Sequence, residues 1–214
     1  MIEIKTFYFN ELRECCYIVW DQTKECVIID PGCQTDNELG RLDTFMRDNL
    51  LKPVKILLTH GHFDHVMGLE NVATKLDLPI YMHLNDMDQI KRAVQYCAMF
   101  GWEIKEITHE ITGIKDGETI TFGASKLKVL HTPGHTQGGV CFYNKEQKVL
   151  FSGDTLFEGS IGRTDHPGGN YDQLMDSIYK KLRGLPLDTQ VLPGHGEPTT
   201  IGTELKSNPF LQPY

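Results

Sequence analysis

The sequence predicts an α/β fold in which helices pack on the faces of β-sheets. Three observations lead to this class. Apolar and polar residues alternate over residues 2–8, as they do in a half-buried strand. A strand, loop, helix, strand, helix order follows between residues 55 and 100, which is typical of helices covering a sheet. Both halves of the chain also share one order, with strands first and helices afterwards.

The first half alternates between strand and helix patterns. Its predicted strands cover 2–8, 15–20, 26–30, 55–58 and 79–83, and its predicted helices cover 35–49, 68–77 and 85–100. The helix at 35–49 opens with Thr35 and Glu38, which form a capping-box pattern. Four apolar residues then share one helical face, namely Leu39, Leu42, Met46 and Leu50.

The second half is rich in short β-like runs separated by turn residues. Its predicted strands cover 119–122, 126–130, 139–143, 149–152 and 190–192, and one helix is predicted over 172–183. Residues 102–117 have no clear pattern. We predict one domain over residues 1–206 and a C-terminal tail over 207–214.

Composition excludes several classes of partner. The chain has 214 residues, of which 40% are hydrophobic, enough for one large core. Its net charge of -8 argues against nucleic acid as a general partner, because no basic surplus exists to neutralise phosphates. The N-terminal residues lack a signal-peptide pattern and no apolar run is long enough to span a membrane, so we expect a cytoplasmic protein without a membrane partner.

Six cysteines are expected to be buried and reduced. They lie mostly in apolar stretches, at positions 15, 16, 26, 33, 97 and 141, and no two of them form a C-x-x-C pair. A disulfide framework is the less favoured interpretation for a cytoplasmic protein.

The stretch Thr59–His65 contains four candidate metal ligands, His60, His62, Asp64 and His65. His60 and His62 are two residues apart and can point to the same side of the chain. Asp64 and His65 come from the next turn and can point to a second centre. Imidazole and carboxylate groups suit zinc, iron or manganese, and zinc is the default for a site rich in nitrogen.

Three further candidates share one sequence context. His135, Asp154 and His195 each follow an apolar strand and a glycine-containing turn. Such positions lie at strand ends, where α/β folds build their sites. Asp30 also ends a predicted strand, before Pro31 and Gly32, and we expect it to support the ligands from behind.

These eight residues resemble the signature of the metallo-β-lactamase superfamily. Within it, the chain is most similar to glyoxalase II (hydroxyacylglutathione hydrolase) and its short relatives, from about residue 2 to 198. The resemblance implies a four-layer αβ/βα sandwich with two divalent metal ions, most readily Zn²⁺, with Fe or Mn as alternatives.

The resemblance also implies a role for each ligand. His60, His62 and His135 would bind one ion, Asp64, His65 and His195 the other, and Asp154 both, while Asp30 would orient the metal-binding loop. The implied reaction is thioester hydrolysis by a metal-bridging hydroxide, with Asp64 and Asp154 as catalytic residues. The implied partner is a small-molecule thioester, and a homodimer is left open.

The loop 157–169 supplies two candidate substrate-binding residues, Arg163 and His166. The loop follows Asp154 directly and is rich in glycine. Arg163 could bind a substrate carboxylate through its guanidinium group or form an ion pair with Asp165, and we weigh these alternatives equally. His166 could touch substrate, although a solvated loop residue is the plainer expectation.

Three other activities compete with the thioesterase. A persulfide dioxygenase would use a single iron on His60, His135 and Asp154, and it resembles this chain in a Gly-Arg-Thr-Asp run like 162–165. A lactonase or other ester hydrolase would use the same carbonyl chemistry, and a binding protein would hold metal without turnover. Glyoxalase II proper has a C-terminal helical domain that binds glutathione, which we expect to be absent because the sequence ends nineteen residues after His195.

Overall fold

The computed structural model describes residues 1–212, which form two compact units. Unit 1 comprises residues 1–114 and 121–125, and unit 2 comprises residues 115–120 and 126 onward. The predicted tail, 207–214, extends to residues 213 and 214, which lie outside the described residues. Within the described part of this tail, Asn208 and Leu211 are buried in unit 2.

Unit 1 contains a six-stranded sheet. Its strands are β1 (Glu3–Phe9), β2 (Glu14–Trp20), β3 (Glu25–Ile29), β4 (Lys52–Leu57), β5 (Ile80–Met82) and β6 (Ile111–Gly113), in that spatial order. Its helices are α1 (Asp36–Asp48), α2 (Phe63–Val66), α3 (Leu69–Leu76) and α4 (Met87–Met99), with a 3₁₀ turn at Leu84–Asp86. The pairs from β1 to β3 are antiparallel, and those from β3 to β6 are parallel.

A second six-stranded sheet belongs mostly to unit 2. Its strands are β7 (Thr119–Phe122), β8 (Ser125–His131), β9 (Val140–Asn144), β10 (Val149–Gly153), β13 (Gln190–Pro193) and β14 (Thr199–Thr200), and β11 (Leu156–Phe157) and β12 (Ser160–Ile161) form a separate hairpin. The spatial order is β14-β13-β10-β9-β8-β7. The helices are α5 (Tyr171–Ser177), continued by a π-helical turn at Ile178–Leu182, and α6 (Ile201–Ser207).

Each unit has its own apolar core. In unit 1, Ile18, Ile28 and Ile56 of the central strands pack against Leu42 of α1. In unit 2, Leu150 and Val191 of β10 and β13 pack against Leu174 of α5. Burial of such side chains is the main favourable term in folding, so each unit has an apolar layer that fixes its strand ends in place.

Helix α1 confirms the capping-box prediction. The Glu38 N–H donates to Thr35 Oγ1 at 3.2 Å, and the Thr35 N–H donates to Glu38 Oε2 at 3.0 Å. Leu42 and Met46 are buried as expected, but the prediction for Leu50 was wrong. The helix ends at Asp48, and Leu50 has a left-handed backbone (φ 56°) that leaves its side chain 76% exposed.

The missed elements are short. They are the strands β6, β11, β12 and β14, with two or three residues each, the four-residue helix α2 and the seven-residue helix α6. Two or three residues are too few to show the hydrophobic periodicity of a strand or helix, so these strands cannot be predicted from the local sequence. The helix predicted over 172–183 is confirmed by α5 and the π-helical turn that continues it, and its apolar residues Leu174, Ile178 and Leu182 are all buried.

The remaining sequence predictions concern thiols and membranes. All six cysteines are buried free thiols, as expected. Burial raises the pKa of Cys26 to about 12 and that of Cys141 to about 11, so both stay protonated at neutral pH. No helix within residues 1–212 has the length and apolar character needed to cross a bilayer.

Candidate metal centre

The ligand motif of unit 1 lies between β4 and α2. His62 is the N-cap of α2, so Asp64 and His65 fall on its first turn. His60, Asp64 and His65 are buried, and His62 is half-buried. One donor atom from each of Asp30, His60 and His65 lies within 4.8 Å of the others. The structure therefore brings the predicted residues of this unit together.

Asp30 fixes the start of the motif from behind. It directly follows β3 and has a left-handed backbone (φ 50°), a conformation that Asp tolerates better than most residues. Asp30 Oδ1 accepts from the Thr59 N–H at 2.7 Å, and Oδ2 accepts from Thr59 Oγ1 at 2.5 Å. Asp30 Oδ2 also lies 3.0 Å from His65 Nδ1. One carboxylate thus holds both ends of the motif.

This network sets the tautomers of two histidines. An ionised carboxylate only accepts hydrogen bonds, so Thr59 Oγ1 must donate to Asp30 and can accept from His60 Nδ1, 3.0 Å away. The same carboxylate accepts from His65 Nδ1. In both rings the proton is then on Nδ1, and Nε2 has the lone pair that a metal ion requires. Histidine ligands commonly donate their other N–H to a carboxylate in this way.

The distance between the rings of His60 and His62 shows whether a metal ion fits between them. Their facing nitrogens, His60 Nε2 and His62 Nδ1, are 3.2 Å apart. A tetrahedral ion about 2.0 Å from each nitrogen would separate them by roughly 3.3 Å, so both lone pairs can meet one ion. The donor set of this unit fits a divalent transition metal.

Sequence reasoning missed Glu14, which lies behind His65. Glu14 is fully buried, and its Oε1 is 3.9 Å from His65 Nδ1. Burying a carboxylate is costly unless positive charge is nearby. Glu14 could have been identified from the sequence, because it is a charged residue directly before the apolar run 15–20.

Two further residues that sequence reasoning missed support the motif. Asn10 Nδ2 donates to the carbonyl oxygen of Asp64 at 2.9 Å, and the Gly61 N–H donates to Asp86 Oδ2 at 3.0 Å. Burial and, to a smaller extent, the negative charge of Asp64 together raise the pKa of the Cys97 thiol to about 11. Helix α4, which includes Cys97, therefore packs beside Asp64.

Unit 2 brings together His135, Asp154 and His195. Asp154 directly follows β10, and His195 follows β13 after one glycine. Asp154 Oδ2 is 3.5 Å from His135 Nε2 and 3.9 Å from His195 Nε2. His135 Nδ1 donates to the carbonyl oxygen of Arg163 at 2.8 Å, which again leaves Nε2 with its lone pair. This second donor set also has the chemistry of a metal site.

Gly162 allows the loop 157–169 to approach Asp154 and His135. A Cβ placed at Gly162 would overlap the carbonyl oxygen of Asp154 and lie 3.1 Å from His135 Cβ. Only glycine fits here, so the contact between the Arg163 carbonyl and His135 depends on this residue.

The two candidate substrate residues have different surroundings. Arg163 is exposed and forms a bidentate ion pair with Asp165, with nitrogen–oxygen distances of 2.9 and 3.0 Å. The ion pair is one of the two alternatives that the sequence left open for Arg163. The other alternative, binding of a substrate carboxylate, stays a prediction. His166 is half-buried, and its Nε2 lies 3.4 Å from His135 Nδ1.

Two histidines outside the signature are structural. His131 Nε2 lies 3.0 Å from the Gln137 carbonyl oxygen, within hydrogen-bonding distance. His109 is half-buried, with its Nδ1 3.0 Å from Glu70 Oε2. The residues around Ile107 are mostly charged or polar and have no clear pattern, so the sequence did not show this contact.

Comparison with known proteins identifies the class. The profile of the metallo-β-lactamase superfamily matches residues 13–195. The protein YqgX of Bacillus subtilis (strain 168), named a probable metallo-hydrolase, is 42% identical over 191 residues, with 87% of each chain covered. The hydroxyacylglutathione hydrolase GloC of Haemophilus influenzae is 38% identical over 213 residues, with 98% of each chain covered. The crystal structure of TTHA1623 in a di-iron-bound form has a TM-score of 0.87 and 39% identity, covering 97% of this chain and all of that one.

The chain belongs to the metallo-β-lactamase superfamily. It is a metal-dependent hydrolase with the metallo-β-lactamase α/β fold, which confirms the fold and the family that the sequence predicts. The fold binds divalent metal ions, and the histidine clusters described above supply donors for them.

Proposed function

We propose that the chain is a thioesterase of glyoxalase II type, which cleaves an acyl-thiol such as an S-acylglutathione. The observation that carries the proposal is the oxygen atom that lies 2.8–3.0 Å from Nδ1 of each of His60, His65 and His135. Each ring donates its Nδ1–H to an oxygen behind it, so each Nε2 can bind metal. Similarity to GloC over nearly the whole chain supports the thioester as substrate.

We assign the ligands as two overlapping sets. His60, His62 and His135 would hold one ion, Asp64, His65 and His195 would hold the other, and Asp154 would serve both. Zinc is the proposed metal because five of the seven ligands are imidazoles. Iron is the alternative that the di-iron form of TTHA1623 supports.

Two divalent ions, when bound, polarise the substrate carbonyl and lower the pKa of water toward about 7. Asp64 and Asp154 contribute two negative charges against the four positive charges of the ions. Among the ions and these ligands a positive balance remains beside the substrate carbonyl, while the carboxylates of Asp30 and Glu14 lie behind His65. This local balance favours an anionic or strongly polarised substrate. No serine lies in a G-x-S-x-G sequence, so the proposal needs no protein nucleophile.

The protein's own residues orient the reactants. Asp64 orients the attacking water by accepting its hydrogen bond, while Asn10 holds the Asp64 backbone in place. Asp154 keeps its Oδ2 near both His135 and His195. Arg163, on release from Asp165, would bind a substrate carboxylate through the fork of its guanidinium, and His166 would lie beside it.

We also propose that the enzyme works in the cytoplasm, with the homodimer left open.

Metal content combined with anaerobic turnover tests the proposal. We expect two metal ions per chain and hydrolysis of S-lactoylglutathione without oxygen. His60→Ala should lose metal and most activity, whereas the matched control His131→Ala should keep both. A single iron with dioxygen consumed on a persulfide would instead establish a dioxygenase. Full metal content with no turnover of any thioester, lactone or persulfide would establish a binding protein.

A further inference from the structure

Four aromatic side chains of unit 1 form a cluster beside the ligand motif, and three of them are stacked. The rings of Phe63 and Phe100 are stacked with centroids 5.6 Å apart, and Phe100 stacks on Trp102 at 5.0 Å. Tyr96 lies 6.3 Å from Phe63. We call these four residues the aromatic stack. It joins α2, α4 and the segment that follows α4.

The aromatic stack is attached to the metal-binding motif at two points. Phe63 lies within the motif itself, between the ligands His62 and Asp64. At the other end of α4, Asp86 accepts from the Gly61 N–H at 3.0 Å. A group that reaches the motif from the side of α4 therefore meets aromatic rings.

The far side of the stack is held by Glu70 of α3. Glu70 accepts from the Thr108 N–H at 2.9 Å, from Thr108 Oγ1 at 2.7 Å and from the His109 N–H at 3.3 Å. These bonds fix the segment that follows Trp102. The stack is therefore organised before any ligand arrives, which lowers the entropy cost of binding.

The outer face of the stack is exposed. Phe100 is 60% exposed and its neighbour Met99 is 77% exposed, while Phe63 and Trp102 are half-buried. A contiguous apolar patch at the surface commonly marks a binding site. Flat aromatic faces gain most from apolar or aromatic partners, and the stack contains no charged side chain.

We propose that the aromatic stack binds the acyl group of the thioester and selects long aliphatic or aromatic acyl groups over small polar ones. This inference rests on the proposed thioesterase function. The acyl half fits better than the thiol half, because a thiol such as glutathione has two carboxylates, and the negative face of an aromatic ring does not attract an anion. Phe63 lies between two ligands, so the acyl group would contact it while the carbonyl lies at the metal ions.

A series of S-acylglutathiones from acetyl to octanoyl tests the inference. For the wild type we expect kcat/KM to rise about threefold for each of the first few methylenes. Phe100→Ala and Trp102→Ala should lower the octanoyl-to-acetyl ratio of kcat/KM about tenfold. The control Leu50→Ala removes an exposed apolar side chain outside the stack and should leave the ratio unchanged. The inference would be overturned if kcat/KM of the wild type did not change with acyl chain length. It would also be overturned if the octanoyl-to-acetyl ratio were equal in all four proteins.

A binding measurement separates this inference from the proposed function. S-octylglutathione is a thioether that cannot be hydrolysed, and S-methylglutathione is its short counterpart. We expect S-octylglutathione to change tryptophan fluorescence and to bind at least tenfold tighter, with the signal lost in Trp102→Phe because Trp20 is buried. Equal affinity for both thioethers would contradict the inference, even if thioesters are cleaved. Absence of thioester cleavage, with chain-length-dependent binding intact, would contradict the proposed function alone.

Discussion

At the scale of the residue, Asp30 organises the candidate metal ligands of unit 1. It accepts from the Thr59 backbone, the Thr59 hydroxyl and the His65 ring, and through Thr59 it also sets the tautomer of His60. The sequence indicated a supporting carboxylate at this strand end. Its left-handed backbone and its partners were not predictable, since they join residues 29 and 35 positions apart.

Asp30→Ala should weaken metal binding about 10- to 100-fold, because His60 and His65 lose the group that orients them. It should also lower the free energy of unfolding by about 1–3 kcal/mol, since the Thr59 N–H is left buried without an acceptor. Competition with a chelator measures the first effect, and denaturant unfolding of the metal-free protein measures the second. The control Asp165→Ala removes an exposed carboxylate. Wild-type metal affinity in Asp30→Ala would refute this role.

Glu14→Gln tests the second carboxylate behind His65. The 3.9 Å distance from Glu14 Oε1 to His65 Nδ1 is too long for a hydrogen bond, so Glu14 acts through its charge. We expect metal affinity to fall about tenfold. The matched control is Glu11→Gln, which neutralises an exposed carboxylate in the same turn region. Equal affinities for the two variants would show that the charge of Glu14 has no part in metal binding.

At the scale of the element, the candidate ligands lie on turns that follow strands. Apolar runs and glycine turns made β4, β8, β10 and β13 predictable, together with the ligand positions after them. The hairpin β11–β12 was not predictable, because a two-residue strand establishes no period. The contact of the Arg163 carbonyl with His135 was also hidden, since a backbone oxygen leaves no signal in the residue types.

Gly162→Ala should displace this loop from the site. The new Cβ would overlap the carbonyl oxygen of Asp154, and that backbone cannot move without shifting a ligand. We expect at least a tenfold loss of kcat/KM and of metal affinity, measured on the same preparation. Gly184→Ala is the matched control, because a Cβ there meets no atom within 4 Å. If both variants behave alike, the close approach of the loop has no functional importance.

Glu70 gives a pH prediction for the segment after α4. Burial raises the pKa of Glu70, but hydrogen bonds from Thr108 and His109 lower it from 4.5 to about 2. A pKa that is depressed in the folded state stabilises the fold above the unfolded value and loses this contribution as the carboxylate protonates. The difference in unfolding free energy between wild type and Glu70→Gln should therefore be full above pH 4.5 and shrink as the pH falls toward about 2. Unfolding curves over this range measure it, and a difference independent of pH would contradict the assignment.

At the scale of the whole molecule, two units with separate cores supply two donor sets. Unit 1 supplies His60, His62, Asp64 and His65, and unit 2 supplies His135, Asp154 and His195. Family membership confirms the fold and the class of metal-dependent hydrolase that the sequence predicts. The acyl preference proposed above was less predictable, because it would depend on Trp102, which lies in the stretch 102–117 that has no clear pattern.

A metal titration of the depleted enzyme tests the central claim most directly. The wild type, stripped with a chelator, is titrated with Zn²⁺ or Fe²⁺ under anaerobic conditions while S-lactoylglutathione hydrolysis is followed. We predict no turnover at the start and a rise that levels off at about two ions per chain. Full activity in the stripped protein, or hydrolysis that levels off at one ion per chain, would contradict a two-metal centre for thioester cleavage.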